Sequence, residues 1–149
     1  MSPEELFERE ETHLGTLVDL LRQEFDTLLQ HPVDGAALEQ LASAKQQQLG
    51  ALEHLESLRR DSQASLGYPD TPAGAEQAAR DQHCLAPWQR VLDGTRRAEH
   101  LNRLNGTLIQ QRLDHNRRVL GALRELAGNP LYGIDGQSRR HGGSLSYKA

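Results

Sequence analysis

The side chains of this 149-residue chain that could do chemistry are seven histidines, one cysteine and the glutamates of "EREE", residues 8–11. No two histidines are spaced three or four residues apart, so no pair would share a helix face as metal ligands. The sequence contains no H-E-x-x-H motif, no glycine-rich phosphate loop and no serine in a nucleophile elbow. We expect "EREE" to lie in a solvated first turn, and not on opposing helices as a di-metal site requires.

Cys84 follows His83 and is the remaining candidate for catalysis, as an activated thiol. A lone cysteine in a linker is usually just a small residue, because a reactive thiol needs a specific environment. The sequence therefore predicts a protein that is not an enzyme, with no cofactor and no metal.

Another set of polar side chains suits hydrogen bonding and lies in "AEHLNRLNGTLIQQRLDHNRRVLGAL". At about 100° per residue, with Ile109 at zero, Asn102, Asn105 and Asn116 fall at about +20°, −40° and −20°. The same arc holds the apolar residues of the segment, so the asparagines are expected to point inward.

Inward asparagines have two explanations. They can fix the register or the oligomeric state of a coiled coil, or they can line a groove that hydrogen-bonds a partner. The three asparagines occur together with Gly106, which weakens a helix, and this combination favours the groove.

The elements that must position these residues are helices, because Leu, Ala, Glu, Gln and Arg dominate and only 4% of the residues are aromatic. Ser2 and Asp34 are expected N-caps, and Pro32 separates the first two helices. We predict an all-α fold, an antiparallel helical hairpin plus a long third helix in an elongated three-helix bundle or coiled coil, with a flexible C-terminal tail.

The predicted boundaries follow from the apolar periodicity and from the proline and glycine positions. The helices are expected at 3–30, 35–60 and 87–127, with a linker over 61–86 in which "AEQAARDQH" is compatible with a short helical run. Residues 1–128 would form one domain, and residues 129–149 a mobile partner-binding tail.

Charge and hydropathy exclude several partners. The net charge is −4 and the arginine pairs are scattered, so no basic stripe is available for nucleic acid. No apolar run approaches the roughly 20 residues that cross a bilayer, which argues against stable membrane insertion. The start "MSPEELFERE" is too acidic for a signal peptide, and we expect a cytoplasmic protein.

The length of the third helix leaves apolar surface uncovered. At 1.5 Å per residue it would span about 60 Å, whereas the first two helices would span about 40 Å each. The uncovered stripe must be covered by a twin chain, by the linker or by another protein.

The order and spacing of "NRLNGTLIQQ" and "LYGIDGQ", within residues 98–137, resemble the FlgN family of flagellar type III export chaperones. The resemblance implies a small cytoplasmic helical protein that binds hook-filament junction proteins of the FlgK and FlgL type. It also implies that the chaperone shields their aggregation-prone C-terminal regions and delivers them to the export gate protein FlhA, transiently at the membrane export apparatus.

The candidate site residues combine the inward stripe with this resemblance. The resemblance places cargo binding on the last helix and the tail from Val119 onward, and it matches the gate-docking tyrosine of the family's "YG" motif to Tyr132. Pro130 is expected to put Tyr132 beyond the helix end. The cargo-binding candidates are Asn102, Asn105, Ile109, Asn116, Val119, Leu120, Leu123 and Leu126, and the gate-binding candidates are Leu131, Tyr132 and Gly133.

A self-associating coiled-coil scaffold or adaptor without an export role is the alternative. In a scaffold the stripe on the third helix would be buried permanently by another copy, whereas a chaperone awaiting cargo would be a monomer or a weak homodimer. The mass in solution distinguishes the two.

Overall fold

The computed structural model describes residues 1–132, with side chains up to Gly128, and this part of the chain is almost entirely helical. The all-α prediction is confirmed, and the short helical run considered within the linker is a separate helix. The helices are α1 (Pro3–Leu28), α2 (Gly35–Ser65), α3 (Pro72–Asp81) and α4 (Leu85–Tyr132).

The chain divides into two compact units, and the boundary between them follows Asn105. The unit Met1–Asn105 contains α1, α2, α3 and the first part of α4, and the rest of α4 belongs to the unit that begins at Gly106. The domain boundary expected at residue 128 stays a prediction.

The starts of α1 and α2 agree with the sequence. The Ser2 hydroxyl accepts a hydrogen bond from the Glu5 backbone N–H at 3.2 Å, and the Glu5 carboxylate accepts one from the Ser2 N–H at 3.0 Å, which completes a capping box. Asp34 accepts from the Ala37 N–H at 3.0 Å. Both caps satisfy backbone donors that the first helical turn leaves without partners.

The linker expected over 61–86 is largely helical, which corrects the predicted organisation. Its first residues extend α2 to Ser65, and α3 begins where the Thr71 hydroxyl accepts from the Gly74 N–H at 3.0 Å. A Cβ on Gly74 would lie 2.0 Å from the Pro69 carbonyl oxygen, so this tight entry requires glycine. Prolines and glycines here shape the start of a helix instead of preventing one.

Aromatic rings and small residues form one end of the core. The rings of Phe7 on α1 and Trp88 on α4 pack with their centroids 5.8 Å apart, and the Arg59 guanidinium of α2 lies 4.8 Å from the Trp88 ring centroid. The buried alanines Ala75 and Ala79 belong to the same cluster and bring α3 close to it.

Cys84 is part of this core and not an exposed thiol. It is 1% exposed, and its Sγ donates a weak hydrogen bond to the Gln82 carbonyl at 3.3 Å. Burial, assisted by the charge of Glu4, raises the pKa of the thiol. A thiol with a raised pKa is a poor nucleophile at neutral pH, so the structure gives Cys84 a packing role.

The end of α4 differs from the expectation. The helix was predicted over 87–127 with Tyr132 beyond its end, but its backbone is helical from Leu85 to Tyr132, so Pro130 lies inside it. A proline removes one backbone hydrogen bond and can kink a helix without terminating it. Residues 133–149, which make up most of the expected tail, lie outside the described residues.

Glu10 corrects the expectation that "EREE" is solvated. Its side chain is buried, with the residue 4% exposed, and its Oε1 has no hydrogen-bond partner. Burial raises the pKa of Glu10 to about 7, and the nearby Glu56 carboxylate adds to this, whereas Arg59 opposes it. The glutamate therefore holds its proton in the folded protein at pH values where the unfolded chain has lost it.

Replacing Glu10 with Gln should change how stability depends on pH. The folded pKa of about 7 exceeds the reference value of 4.5, so the wild type should lose stability as the pH rises through this interval. The loss relative to the Gln variant should reach up to about 3 kcal/mol. Urea unfolding of both proteins at about pH 5 and about pH 8 measures it. A constant difference between the two proteins would contradict the assignment.

Candidate functional site

Asn105 is the predicted site residue that lies deepest in the structure. It is 1% exposed, and its Nδ2 donates to the Leu21 carbonyl at 2.8 Å and to the Glu24 carboxylate at 2.9 Å, both on α1. Its Oδ1 is buried without a hydrogen-bond partner. Because both donors are used inside the protein, Asn105 positions α4 against α1 and is not available to a binding partner.

The same carboxylate connects a third helix. Glu24 is buried, and its Oε2 accepts a hydrogen bond from Lys45 Nζ of α2 at 2.8 Å. One anionic side chain therefore joins α1, α2 and α4 through charge-assisted hydrogen bonds. Only the position of Lys45 within the leucine stripe of α2 could have suggested this contact, since nothing in the sequence pairs it with Glu24.

The other two asparagines do not share this environment. Asn102 and Asn116 are exposed, so the expectation that all three point inward is wrong for these two. The buried face of α4 repeats every seven residues, at Val91, Ala98 and Asn105, and Cys84, just before the helix, continues this spacing. A face that repeats every seven residues drifts relative to a straight helical wheel. A wheel centred on Ile109 therefore misplaces residues at the edge of this face.

Beyond Gly106, α4 presents apolar side chains to solvent. Val119, Leu123 and Leu126 are 43%, 55% and 78% exposed, and we call these three residues the distal row. Their spacing of four and then three residues places them on one helix face. The predicted site residues Ile109 and Leu120 are partly buried. Exposed large apolar residues on one face are typical of a protein interaction site.

Two of the three gate-binding candidates have a defined backbone. Leu131 and Tyr132 form the last turn of α4, and Gly133 lies outside the described residues. Their binding role stays a prediction.

The described residues offer neither a metal site nor a membrane span. No group of three or more His, Cys, Asp or Glu side chains within them is arranged to hold a metal ion. No helix in the described part of the chain is long and apolar enough to cross a bilayer. Among the predicted site residues, Asn105 makes helix-to-helix contacts, and the distal row is exposed.

Comparison with known proteins gives a consistent result. The family model described as FlgN protein matches residues 1–140. The flagella synthesis protein FlgN of Yersinia enterocolitica is 30% identical over 143 residues, which cover 89% of this chain and 90% of the relative. The protein of the same name from Proteus mirabilis is 30% identical over 129 residues, covering 87% and 84%. The one from Salmonella typhimurium is 28% identical over 145 residues, covering 95% and 96%. No solved structure is significantly similar.

Truncating Asn105 should test its structural role. Asn105→Ala removes the donor to the buried Glu24 carboxylate and should lower the free energy of unfolding by about 2–3 kcal/mol, because the acceptor loses a partner that water cannot replace. Asn102→Ala and Asn116→Ala are matched controls on the same helix and should change it by less than about 0.5 kcal/mol. Urea unfolding measures all three variants. Similar losses in all three would show that Asn105 has no special structural role.

Proposed function

The chain belongs to the FlgN family of flagellar export chaperones, and from that premise we propose that it binds hook-filament junction proteins of the FlgK and FlgL type. In this proposal it prevents their premature association and delivers them to the export gate protein FlhA. It acts in the bacterial cytoplasm and reaches the membrane only transiently, at the export apparatus. The FlgN family is a chaperone family and not an enzyme family.

The distal row is the observation that carries the cargo proposal. Val119, Leu123 and Leu126 hold large apolar side chains partly in water. Full burial of an exposed side chain of this kind is worth about 1.5–3 kcal/mol, and a partner that covers the row gains the share that belongs to the exposed part of each. An amphipathic helix of the cargo that covers this face would hide its own apolar surface at the same time. This is the physical requirement for shielding an aggregation-prone segment.

The asparagines have a smaller part in this proposal than the sequence implied. Asn105 stays in the core, whereas the exposed Asn116 lies one helical turn before the distal row and is free to face the cargo. We propose that the cargo surface begins near Asn116 and extends through the distal row. Affinity then comes mainly from apolar area.

Polar replacements in the distal row should abolish cargo binding without unfolding the protein. The combined variant Val119→Ser, Leu123→Ser and Leu126→Ser should bind a FlgK-type protein at least about 100-fold more weakly, because the complex loses three apolar side chains that the cargo would cover. Isothermal titration calorimetry measures the affinity, and circular dichroism should show unchanged helicity. The matched control is Leu29→Ser with Leu66→Ser, which removes leucines that are 51% and 55% exposed elsewhere.

The outcome also separates the chaperone from a scaffold. Undiminished cargo affinity in the distal-row variant would contradict the proposed surface. A stable wild-type oligomer that dissociates in this variant would instead assign the distal row to self-association. We expect the wild type to sediment as a monomer or weak dimer.

The proposed gate contact predicts that a change at Tyr132 weakens binding to the export gate and leaves cargo binding intact. Tyr132→Ala should leave cargo affinity nearly unchanged and weaken binding to the isolated cytoplasmic part of FlhA by about 2 kcal/mol or more, because tyrosine is a frequent interface anchor. Tyr147→Ala is the matched control, another tyrosine of the C-terminal region. Equal gate binding by the Tyr132 variant and the wild type would contradict the assignment, and equal losses of cargo and gate would mean that the two sites are one.

A further inference from the structure

A groove of about 630 Å³ lies between α2 and α4 within the unit Met1–Asn105, with α1 beneath it. Leu14, Leu17 and Leu21 of α1 are almost completely buried and form its floor. Leu49, which is 44% exposed, lines the α2 side, and Val91 lines the α4 side. The volume falls in the range of about 300–1,000 Å³ that is typical of ligand sites.

The groove is apolar inside and acidic at its edges. Glu53 and Glu56 of α2 and Glu99 of α4 line it, together with Glu10 of α1. The lining contains one basic residue, Lys45. The groove therefore attracts a cation more strongly than an anion.

The basic groups at the groove are already paired. Lys45 Nζ donates to the buried Glu24 at 2.8 Å. The Arg59 guanidinium, near Glu10, donates to both Glu56 oxygens at 2.9 and 2.6 Å. These pairs largely neutralise Lys45 and Arg59, so they leave the negative charge of the other glutamates uncompensated.

Glu10, which lines this groove, carries a hydrogen-bond acceptor without a partner. The residue is 4% exposed, and its Oε1 is buried and unpaired. A buried polar atom without a partner is costly, and a donor that reaches it recovers much of that cost. A cationic donor gains most, because a charge-assisted hydrogen bond to a carboxylate is about twice as strong as a neutral one.

We propose that this groove binds an amphipathic helical segment of a partner protein whose apolar face carries one lysine or arginine, with the basic group donating to Glu10. The floor supports a helical occupant, because Leu14, Leu17 and Leu21 follow a spacing of three and four residues that a helix ridge can match. The site uses no residue of the distal row, so it does not depend on the proposed cargo surface.

Trp88 allows a direct test with the full-length chain. It is the single tryptophan of the protein and it lines the groove, so its fluorescence reports occupancy. The probe is a synthetic amphipathic helix with leucines on one face and a single central lysine, compared with the same peptide carrying glutamine. The lysine peptide should bind the wild type at least about tenfold more tightly. Glu10→Gln should remove this preference while the variant stays folded.

The preference of the groove for the lysine peptide over the glutamine peptide should also depend on pH. The peptide lysine stays charged, whereas Glu10, with a pKa of about 7, is mostly protonated at pH 6 and mostly ionised at pH 8. The charged groups around Glu10 are Glu53, Glu56, Lys45 and the nearby Arg59 on α2, and Glu99 on α4. Because ionised Glu10 accepts a hydrogen bond from a charged lysine more strongly than protonated Glu10 does, the lysine preference should be larger at pH 8 than at pH 6.

Controls distinguish the possible occupants. The distal-row variant should keep full peptide affinity, and its failure to do so would mean that the peptide binds the proposed cargo surface. Equal affinity for the two peptides would overturn the proposal.

Two other occupants of the groove have their own tests. A wild-type dimer that dissociates on Leu49→Asp would assign the groove to a second copy. A shift of Trp88 emission on replacing Arg139 and Arg140 with Ser, without peptide, would assign it to the chain's own C-terminal segment. Each of these last two results would also overturn the proposal.

Discussion

The carboxylate of Glu24 is the interaction on which the arrangement of the long helices depends. It accepts from Asn105 of α4 at 2.9 Å and from Lys45 of α2 at 2.8 Å while it lies buried on α1. Apolar contacts between helices tolerate sliding because they are non-directional, but a buried charge is strongly destabilising when it loses a partner. A one-turn shift of either helix would remove a donor from Glu24, so this contact selects one register among those that the leucine stripes allow.

The other end of the core is fixed by close approach instead of charge. Few aromatic residues are available, and Phe7 and Trp88 are used together with the Arg59 guanidinium over the Trp88 ring. Gly94 of α4 lies against Leu14 of α1, where an added Cβ would approach a leucine methyl to 3.3 Å. Small side chains thus allow the helices to pack closely around a thin core. A chain with few large apolar residues therefore still buries a continuous cluster.

The sequence predicted local features well and contacts between helices poorly. The caps at Ser2 and Asp34 were predictable because a cap involves residues only three positions apart. The burial of Glu10 and Asn105 was not, since it depends on which residues of other helices lie opposite. α3 was anticipated only as a short helical run within a linker, because its buried alanines give a weak apolar period and because Pro72 and Gly74 were interpreted as breakers. For the candidate site, Val119 and the residues after it were predicted from the family resemblance and not from periodicity, and a fixed helical wheel could not separate Asn105 from Asn102.

The separation of polar and apolar roles along α4 bears on how a chaperone of this kind would work. Asn105 makes its buried hydrogen bonds inside the first unit, whereas the distal row of the second unit offers exposed apolar area. Binding through apolar area discriminates weakly between similar sequences, because adding or removing one methylene changes the free energy by only about 1 kcal/mol. A surface of this type suits related amphipathic segments from more than one cargo. Discrimination between partners must then come from charged groups, which the distal row lacks and the groove around Glu10 supplies. The proposed division of labour therefore places broad capture on the second part of α4 and selective recognition on the first unit.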